Sequence, residues 1–554
     1  MNNKKITFFE LISLIIIFFI FLIFLSPSGF GEIISAETWK SWTASRILLT
    51  EGKFVQNSLG PLYYIFLTIL SPFDYKNSII IEYFITHIFF LICIYILFRN
   101  FNKKILGILF SIFIITYISF IESPKYILAS GFMILHFANY KKNYFYNWFP
   151  PFLLISILCN WGYIVFYLGH LFGKTFFHLK HKNFYITKPN LLTIFLCSVL
   201  LCPIIFKADK FYNNHYVDYY DPNYAPIVLD SPFKIGFFQF GNWKYSKKTY
   251  SYNDQYKADW YITHKNYYGE CKTFGCVLKN NPKIVVEELS NDLGYNLRIL
   301  TSMILNKDIL IIKKIYFIFF LFLFGLIILL GSFNILKRNN GNYILIFSLL
   351  FGTAGYILAL SLTTFSYRYC FPLYPVIILL LLNADFKIPK INKKYFKINL
   401  ILVFVILIQF IFNIKDYSIN FNNKEFYKIG HSKITEKRKV DYFKSANDVF
   451  SLINNKQKIL TTDSNWLSGF SQAIPKQVYS IFALPPVANK NTQNFLDSFD
   501  IILLNYNIQI EQPSVGTQTY LRYELHLKEY LANNKDKWVN KQIENFGNIY
   551  IKKD

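Results

Sequence analysis

Ser78-Ile-Ile-Ile-Glu-Tyr-Phe-Ile-Thr-His-Ile-Phe-Phe-Leu-Ile-Cys-Ile-Tyr-Ile-Leu-Phe98 carries one carboxylate, Glu82, and one imidazole, His87, in an otherwise apolar run. About 20 helical residues rise roughly 30 Å, the thickness of a bilayer's hydrocarbon core, so the run reads as a membrane span. Working outward, similar runs stand at 8–27, 105–121, 124–139, 147–158, 161–173, 190–206, 315–336, 343–363, 367–383 and 398–414. They are too continuous to be the stripes of amphipathic helices. The expected fold is a polytopic α-helical membrane protein of about 11 spans.

Composition agrees. Of 554 residues, 53% are hydrophobic and 16% charged, against roughly 25% charged in an average soluble protein, which argues against an ordinary cytosolic enzyme. A net charge of +25 would suit a nucleic-acid partner if it formed one face. Instead the basic residues sit in short clusters between apolar runs and act as topology signals, so no nucleic acid is expected. Asn160 and Gly162 divide the stretch 147–173 into two segments. With that division, eighteen Lys and Arg, among them Lys4, Arg99, Lys141, Lys174, Lys337 and Lys397, fall on one side. Six fall in the short loops opposite: Lys40, Arg46, Lys53, Lys76, Lys125 and Arg368. The richer side is cytoplasmic by the positive-inside rule. The basic-then-apolar opening of 1–25 reads as an uncleaved first helix, since ten more spans follow it.

Three larger polar pieces then lie outside: 28–77, 207–312 and 415–554. The natural boundary runs after 414, leaving a membrane unit, 1–414, and an extracytoplasmic tail, 415–554. Helix-like and strand-like stretches alternate in the tail: 441–453, Lys458 to Asp463, Asn494 to Phe499, Ile501 to Leu504, Tyr520 to Ala532 and Gly547 to Ile551. That pattern predicts a small α/β domain. No Gly-x-Gly-x-x-Gly opens a nucleotide site in it. Pro61 to Leu70 is too short to cross unaided and is expected to dip into or lie on the outer leaflet. Of the seven cysteines, Cys93, Cys159, Cys197, Cys202 and Cys370 lie in or beside apolar spans as small hydrophobes. Cys271 and Cys276 share a polar outer loop, where an oxidising compartment and four intervening residues predict a disulfide.

The outer segment after the first span reads Glu32-Ile-Ile-Ser-Ala-Glu37-Thr-Trp-Lys-Ser-Trp-Thr-Ala-Ser-Arg-Ile-Leu-Leu-Thr-Glu-Gly52, followed by Gly60-Pro-Leu-Tyr-Tyr64. Trp39, Trp42 and Leu49 recur at near-helical spacing with Lys40 and Arg46 between them, which predicts an amphipathic helix at the membrane interface. Glu37 at its start fits either a carboxylate favoured by the helix dipole or a catalytic acid. Ile121-Glu122-Ser-Pro124 offers a second acid at a helix start, open to the same two readings. Arg368, in Ser366-Tyr-Arg-Tyr-Cys-Phe-Pro372, stands where a span meets the outer face, as an anchor or as a functional cation. Glu82 and His87 suit a polar pair within their span.

These motifs together resemble the GT-C superfamily of polyprenyl-phosphate-sugar glycosyltransferases, in its protein O-mannosyltransferase and aminoarabinose-transferase branch. The likeness rests on Glu37 fifteen positions before Gly52, on Pro61-Leu-Tyr-Tyr64, on Glu122-Ser-Pro124 and on Arg368-Tyr369-Cys-Phe-Pro372. It covers the layout of about residues 1 to 415. The relatives usually carry Asp where this chain has Glu37. The tryptophan-tryptophan-aspartate motif of oligosaccharyltransferases is absent, which argues against transfer of a whole glycan to asparagine. The resemblance implies a sugar moved from a polyprenyl-phosphate donor to a hydroxyl on a glycan, lipid or protein acceptor, in one inverting displacement at the outer side of a bacterial cytoplasmic membrane.

The chemistry suits the residues. A positioned carboxylate, Glu37, can take the acceptor's proton, and an arginine fork, Arg368, suits the departing lipid phosphate. Lys40, Tyr63 and Tyr369 are the accompanying substrate-binding candidates. Glu122 would orient the acceptor, support Glu37 or share a divalent cation with it, and spacing leaves these open. No other cofactor is implied. The competing class is a transporter or flippase of a lipid-linked sugar, which would place its ionisable groups near the bilayer midplane.

Overall fold

The computed structural model describes residues 36–52, 60–101, 124–140, 147–181, 260–290, 343–363, 372–383, 442–461, 464–473, 477–480, 490–505 and 529–553 except 545, with a few isolated positions besides. The described chain is mostly helical. The expected spans at 8–27, 105–121, 190–206, 315–336 and 398–414 lie largely or wholly outside these residues.

Helix α1, Ala36–Glu51, leads to α2, Pro61–Leu70, and α3, Tyr75–Asn100. Pro61 opens α2 where a backbone N–H would go unused. Asp74 caps α3 by accepting from the Asn77 amide at 2.8 Å, and Arg99 sits in its last turn, where the dipole favours a cation. Within α3, Asn77–Asn100 is the one stretch among the described residues long and apolar enough to cross a membrane. Next come α4, Pro124–Ala138, and α5, Pro151–Cys159. A single 3-10 turn, Trp161–Tyr163, separates α5 from α6, Ile164–His181.

Asn160 makes the break between α5 and α6. Its backbone is extended (φ −153°, ψ 118°), and its side chain accepts from the Gly162 amide at 2.8 Å. A continuous helix would carry residue 170 about 34 Å from residue 147. Instead His170 Nε2 lies 3.0 Å from the Asn147 carbonyl, and His178 stacks on Trp148 with centroids 5.5 Å apart. The chain therefore reverses at Asn160 into a helical hairpin. At nine residues α5 rises only about 14 Å, and α6 runs back beside it for eighteen residues.

Of the two placements expected for the short α2, dipping inward or lying on a surface, the packing disfavours the second. Tyr63, Tyr64, Leu67 and Leu70 are buried in the bundle core. Its start meets the end of α5, where the Gly60 amide donates to the Cys159 carbonyl at 3.0 Å. A Cβ at Gly60 would stand 1.9 Å from the Leu158 carbonyl oxygen, so only glycine allows this approach. Helix α6 then packs antiparallel to a later helix, labelled below, along Gly169 and Gly173. Small residues of this kind let helix backbones come close where a hydrophobic driving force is weak.

A disulfide-closed unit follows, with α7, Trp260–Tyr268, α8, Phe274–Asn280, and a helical stretch over 282–290. Cys271 and Cys276 are bonded as expected. Phe237, Phe238, Tyr268, Cys271, Val277, Ile284 and Val285 form its core. Helix α9, Tyr343–Thr363, is the partner of α6, and α10, Tyr374–Asn383, packs on α4.

The tail is an α/β unit. Helix α11, Tyr442–Phe450, leads to β1, Ile459–Thr461, α12, Ser464–Phe470, β2, Val478–Ser480, α13, Lys490–Asp497, β3, Ile501–Asn505, β4, Trp538–Ile543, and β5, Gly547–Lys552. The sheet order is β2-β1-β3-β5-β4, parallel over the first three and antiparallel over the rest. Strand β3 is buried on both faces. Ile502 and Leu504 face a cluster with Leu460, Leu496 and Tyr530, whereas Ile501 and Leu503 belong to a core continuous with the helical bundle.

Candidate functional site

A carboxylate inside an apolar interior must be hydrogen-bonded and charge-balanced to be tolerated. Glu82, 1% exposed, lies about two turns into α3. Trp42 of α1 donates its indole N–H to Glu82 Oε2 at 2.7 Å, and Tyr63 of α2 donates its hydroxyl to Oε1. The buried ammonium of Lys125, second residue of α4, is close enough to act on the carboxylate. Four helices therefore converge on one side chain.

Hydroxyl groups extend this polar seam. Thr38 Oγ1 lies 3.5 Å from the Tyr83 hydroxyl, and Ser45 and Thr68 are bonded at 3.0 Å between α1 and α2. Deeper in, Tyr163 donates to the Tyr126 carbonyl at 3.1 Å and shares a hydrogen bond with Ser130. The seam runs from α1 to the α5–α6 turn.

The other side of α1 is covered by the tail. Gly469 of α12 would place a Cβ 3.2 Å from Trp42 Cβ and 3.4 Å from the Thr43 nitrogen. The Trp42 ring stands 5.2 Å from Phe470, and Tyr75 packs edge-on against Phe470 and Trp466, with centroids at 4.5 and 6.2 Å. Thr38, Trp39, Ser41, Trp42, Thr43, Ala44, Ser45 and Ile47 are all buried. The expectation of an interfacial helix is corrected by this packing: protein, not lipid, meets both Trp39 and Trp42.

The candidate residues fall out as follows. Glu37 and Lys40 lie on the first turns of α1. Tyr63 is 1% exposed with its hydroxyl committed to Glu82, which puts it in the wall of the site. Glu122 lies outside the described residues, two positions before α4 begins. Arg368 and Tyr369 also lie outside them, a few positions before α10. Among the described residues no cluster of three or more His, Cys, Asp or Glu is placed to hold a metal ion.

Sequence reasoning named Glu82 but paired it with His87. Five residues apart, the two stand about 140° round the helix. His87 turns Nδ1 to the Tyr83 carbonyl at 2.6 Å and to Thr86 Oγ1 at 3.0 Å. Lys125, counted only as a loop charge, is a buried member of the site. The one available signal was a carboxylate within an apolar span, a functional candidate by its cost alone. Comparison with protein-family models and with curated proteins finds no match for this chain.

Proposed function

We propose that the chain is a membrane glycosyltransferase that moves a sugar from a polyprenyl-phosphate donor to an acceptor hydroxyl on the outer side of a bacterial cytoplasmic membrane. The observation that carries this reading is the convergence on Glu82. It draws together α1, which bears Glu37 and Lys40, and the start of α4, which follows Glu122 by two residues. That arrangement supports bringing the two candidate acids, which lie far apart in sequence, to the same end of the bundle. Helix α10, which follows Arg368 and Tyr369, packs on α4 and supports placing the phosphate-binding cation at the same centre.

Membrane residence is supported by the outer face of α6. Ile164, Leu168, Phe172, Phe176 and Leu179 are each 40% exposed or more and recur at helical spacing over about 22 Å. A contiguous apolar stripe of that length suits lipid better than water.

In the reaction, the acceptor hydroxyl gives its proton to the Glu37 carboxylate while its oxygen bonds to the anomeric carbon. The bond from that carbon to the phosphate oxygen breaks, and its electron pair leaves with polyprenyl phosphate, stabilised by Arg368. One displacement inverts the anomeric centre. In detergent-reconstituted protein, Glu37→Gln should lower sugar transfer by about 10²- to 10⁴-fold with donor binding kept, while Arg368→Ala should weaken donor binding as well. Full activity of Glu37→Gln sinks the carboxylate mechanism.

One observation favours a second reading. The half-helices α2 and α5 meet end to end at Gly60 and Cys159, and discontinuous helices of this kind are common in transporters. A flippase would move the lipid-linked sugar between leaflets with its glycosidic bond intact. The transfer assay separates the two.

A further inference from the structure

Resting on the transferase reading for its purpose, though not for its geometry, we propose that Glu82 of α3 is a positioning residue whose carboxylate clamps α1 against α2 and α3. The two oxygens serve different helices: Oε2 takes the Trp42 indole of α1, and Oε1 takes the Tyr63 hydroxyl of α2. Both bonds are accepted by a carboxyl group in a buried interior, where a polar group left without its partner is costly.

Helix α1 needs such a clamp because of what it buries. Thr38, Ser41, Thr43, Ala44 and Ser45 are small and run round the helix, so its rotation rests on the larger buried side chains Trp39, Trp42 and Ile47. Of these, Trp42 is bonded to Glu82. Its ring is held against Phe470 on one side, and its N–H is directed at Glu82 on the other. Glu37 precedes Trp42 by five residues, about one and a half turns of the same helix. Setting the indole therefore sets the height and rotation at which the Glu37 backbone is presented.

The test uses the full chain in detergent micelles and reads backbone hydrogen exchange over 36–51. Trp42→Phe removes the donor together with part of the buried ring, and exchange of α1 should rise about tenfold or more. Glu82→Gln keeps an acceptor oxygen for Trp42 and should fall between wild type and Trp42→Phe. Over 36–51 the double variant should be no looser than Trp42→Phe alone, because Glu82 reaches α1 through the Trp42 bond while its other oxygen serves Tyr63 of α2. Wild-type exchange in Trp42→Phe, or fully additive effects, would overturn the clamp.

A second arm measures release of polyprenyl phosphate from polyprenyl-phosphate-linked mannose or arabinose. Trp42→Phe and Glu82→Gln should lower kcat with the donor KM unchanged when rates are normalised to the folded fraction, because loss of folded protein by itself also lowers apparent kcat at constant KM. Loosened α1 with unchanged kcat refutes the positioning role. If wild type releases nothing from either donor, the transferase reading falls, and the exchange arm still decides the clamp.

Discussion

Replacing Gly60 by alanine tests the hairpin on which the inner end of the site is built. The added Cβ would stand 1.9 Å from the Leu158 carbonyl oxygen, 2.2 Å from its carbon and 2.7 Å from the Ile157 oxygen. Non-bonded heavy atoms settle at roughly 3.5 Å, so α2 or α5 must move by more than an ångström. All three obstacles are backbone, and no rotamer change relieves them. Overpacking of this kind costs about 1–3 kcal/mol. The displacement also strains the bond from the Gly60 amide to the Cys159 carbonyl, worth about 1 kcal/mol. Together the change is about 2–4 kcal/mol, or roughly 30- to 900-fold in the local opening equilibrium. Hydrogen exchange over 61–70 and 151–163 reads that change directly. Gly275→Ala is the control, since its Cβ meets nothing within 4 Å. If Gly60→Ala exchanges at the wild-type rate while the control does too, the end-to-end contact of α2 and α5 is wrong.

Two further outcomes follow from the outer pieces. Replacing Cys271 and Cys276 by serine should loosen 260–290 by about 2 kcal/mol, the chain-entropy value for so small a ring, seen as faster exchange there and not in α3. In the tail, burial pushes the Asp497 carboxyl up, but the Tyr530 hydroxyl and the Lys537 ammonium outweigh it and hold the group below its ordinary range. A carboxylate depressed in the folded state contributes stability in full above its unfolded value of about 3.9, and that stability is lost as pH falls through the lower folded value. Acid should therefore loosen the contact between α13 and the β4–β5 hairpin below about pH 4, and Asp497→Asn should remove that dependence as read by Trp538 fluorescence.

Legibility in the sequence followed the range of the forces involved. Helix α3 was readable because an unbroken apolar run needs no partner to declare itself, and the break at Asn160 because a short polar side chain followed by glycine competes locally with the helix. Strands β1, β3 and β5 were readable from their apolar residues. Strand β2 is three residues long, and β4 exposes four consecutive residues after Trp538, so neither shows the alternation of a half-buried strand. The environment of α1 was the largest miss. Its tryptophans at helical spacing signal burial but not by what, and the covering helix α12 comes more than 400 residues later in the chain. The partners of Glu82 were hidden for the same reason, with Trp42 and Tyr63 lying 40 and 19 residues before it.

The placement of α1 also bears on what the tail is for. Sequence composition divides the chain after 414, where the last apolar run ends. The packing does not respect that division. Trp39, Trp42 and Tyr75 from the first outer segment share one core with Ala446, Val449, Trp466 and Leu467 of the tail. That core continues into the sheet through Ile459, Ile501, Leu503 and Ile549. One face of the sheet is thus part of the wall that holds α1, while the opposite face closes on a separate cluster of its own. Since Trp42 meets Phe470 from above and Glu82 from below, any shift of α12 is transmitted to the Glu82 bond through a single rigid ring. The position of α1 is therefore set by both units at once.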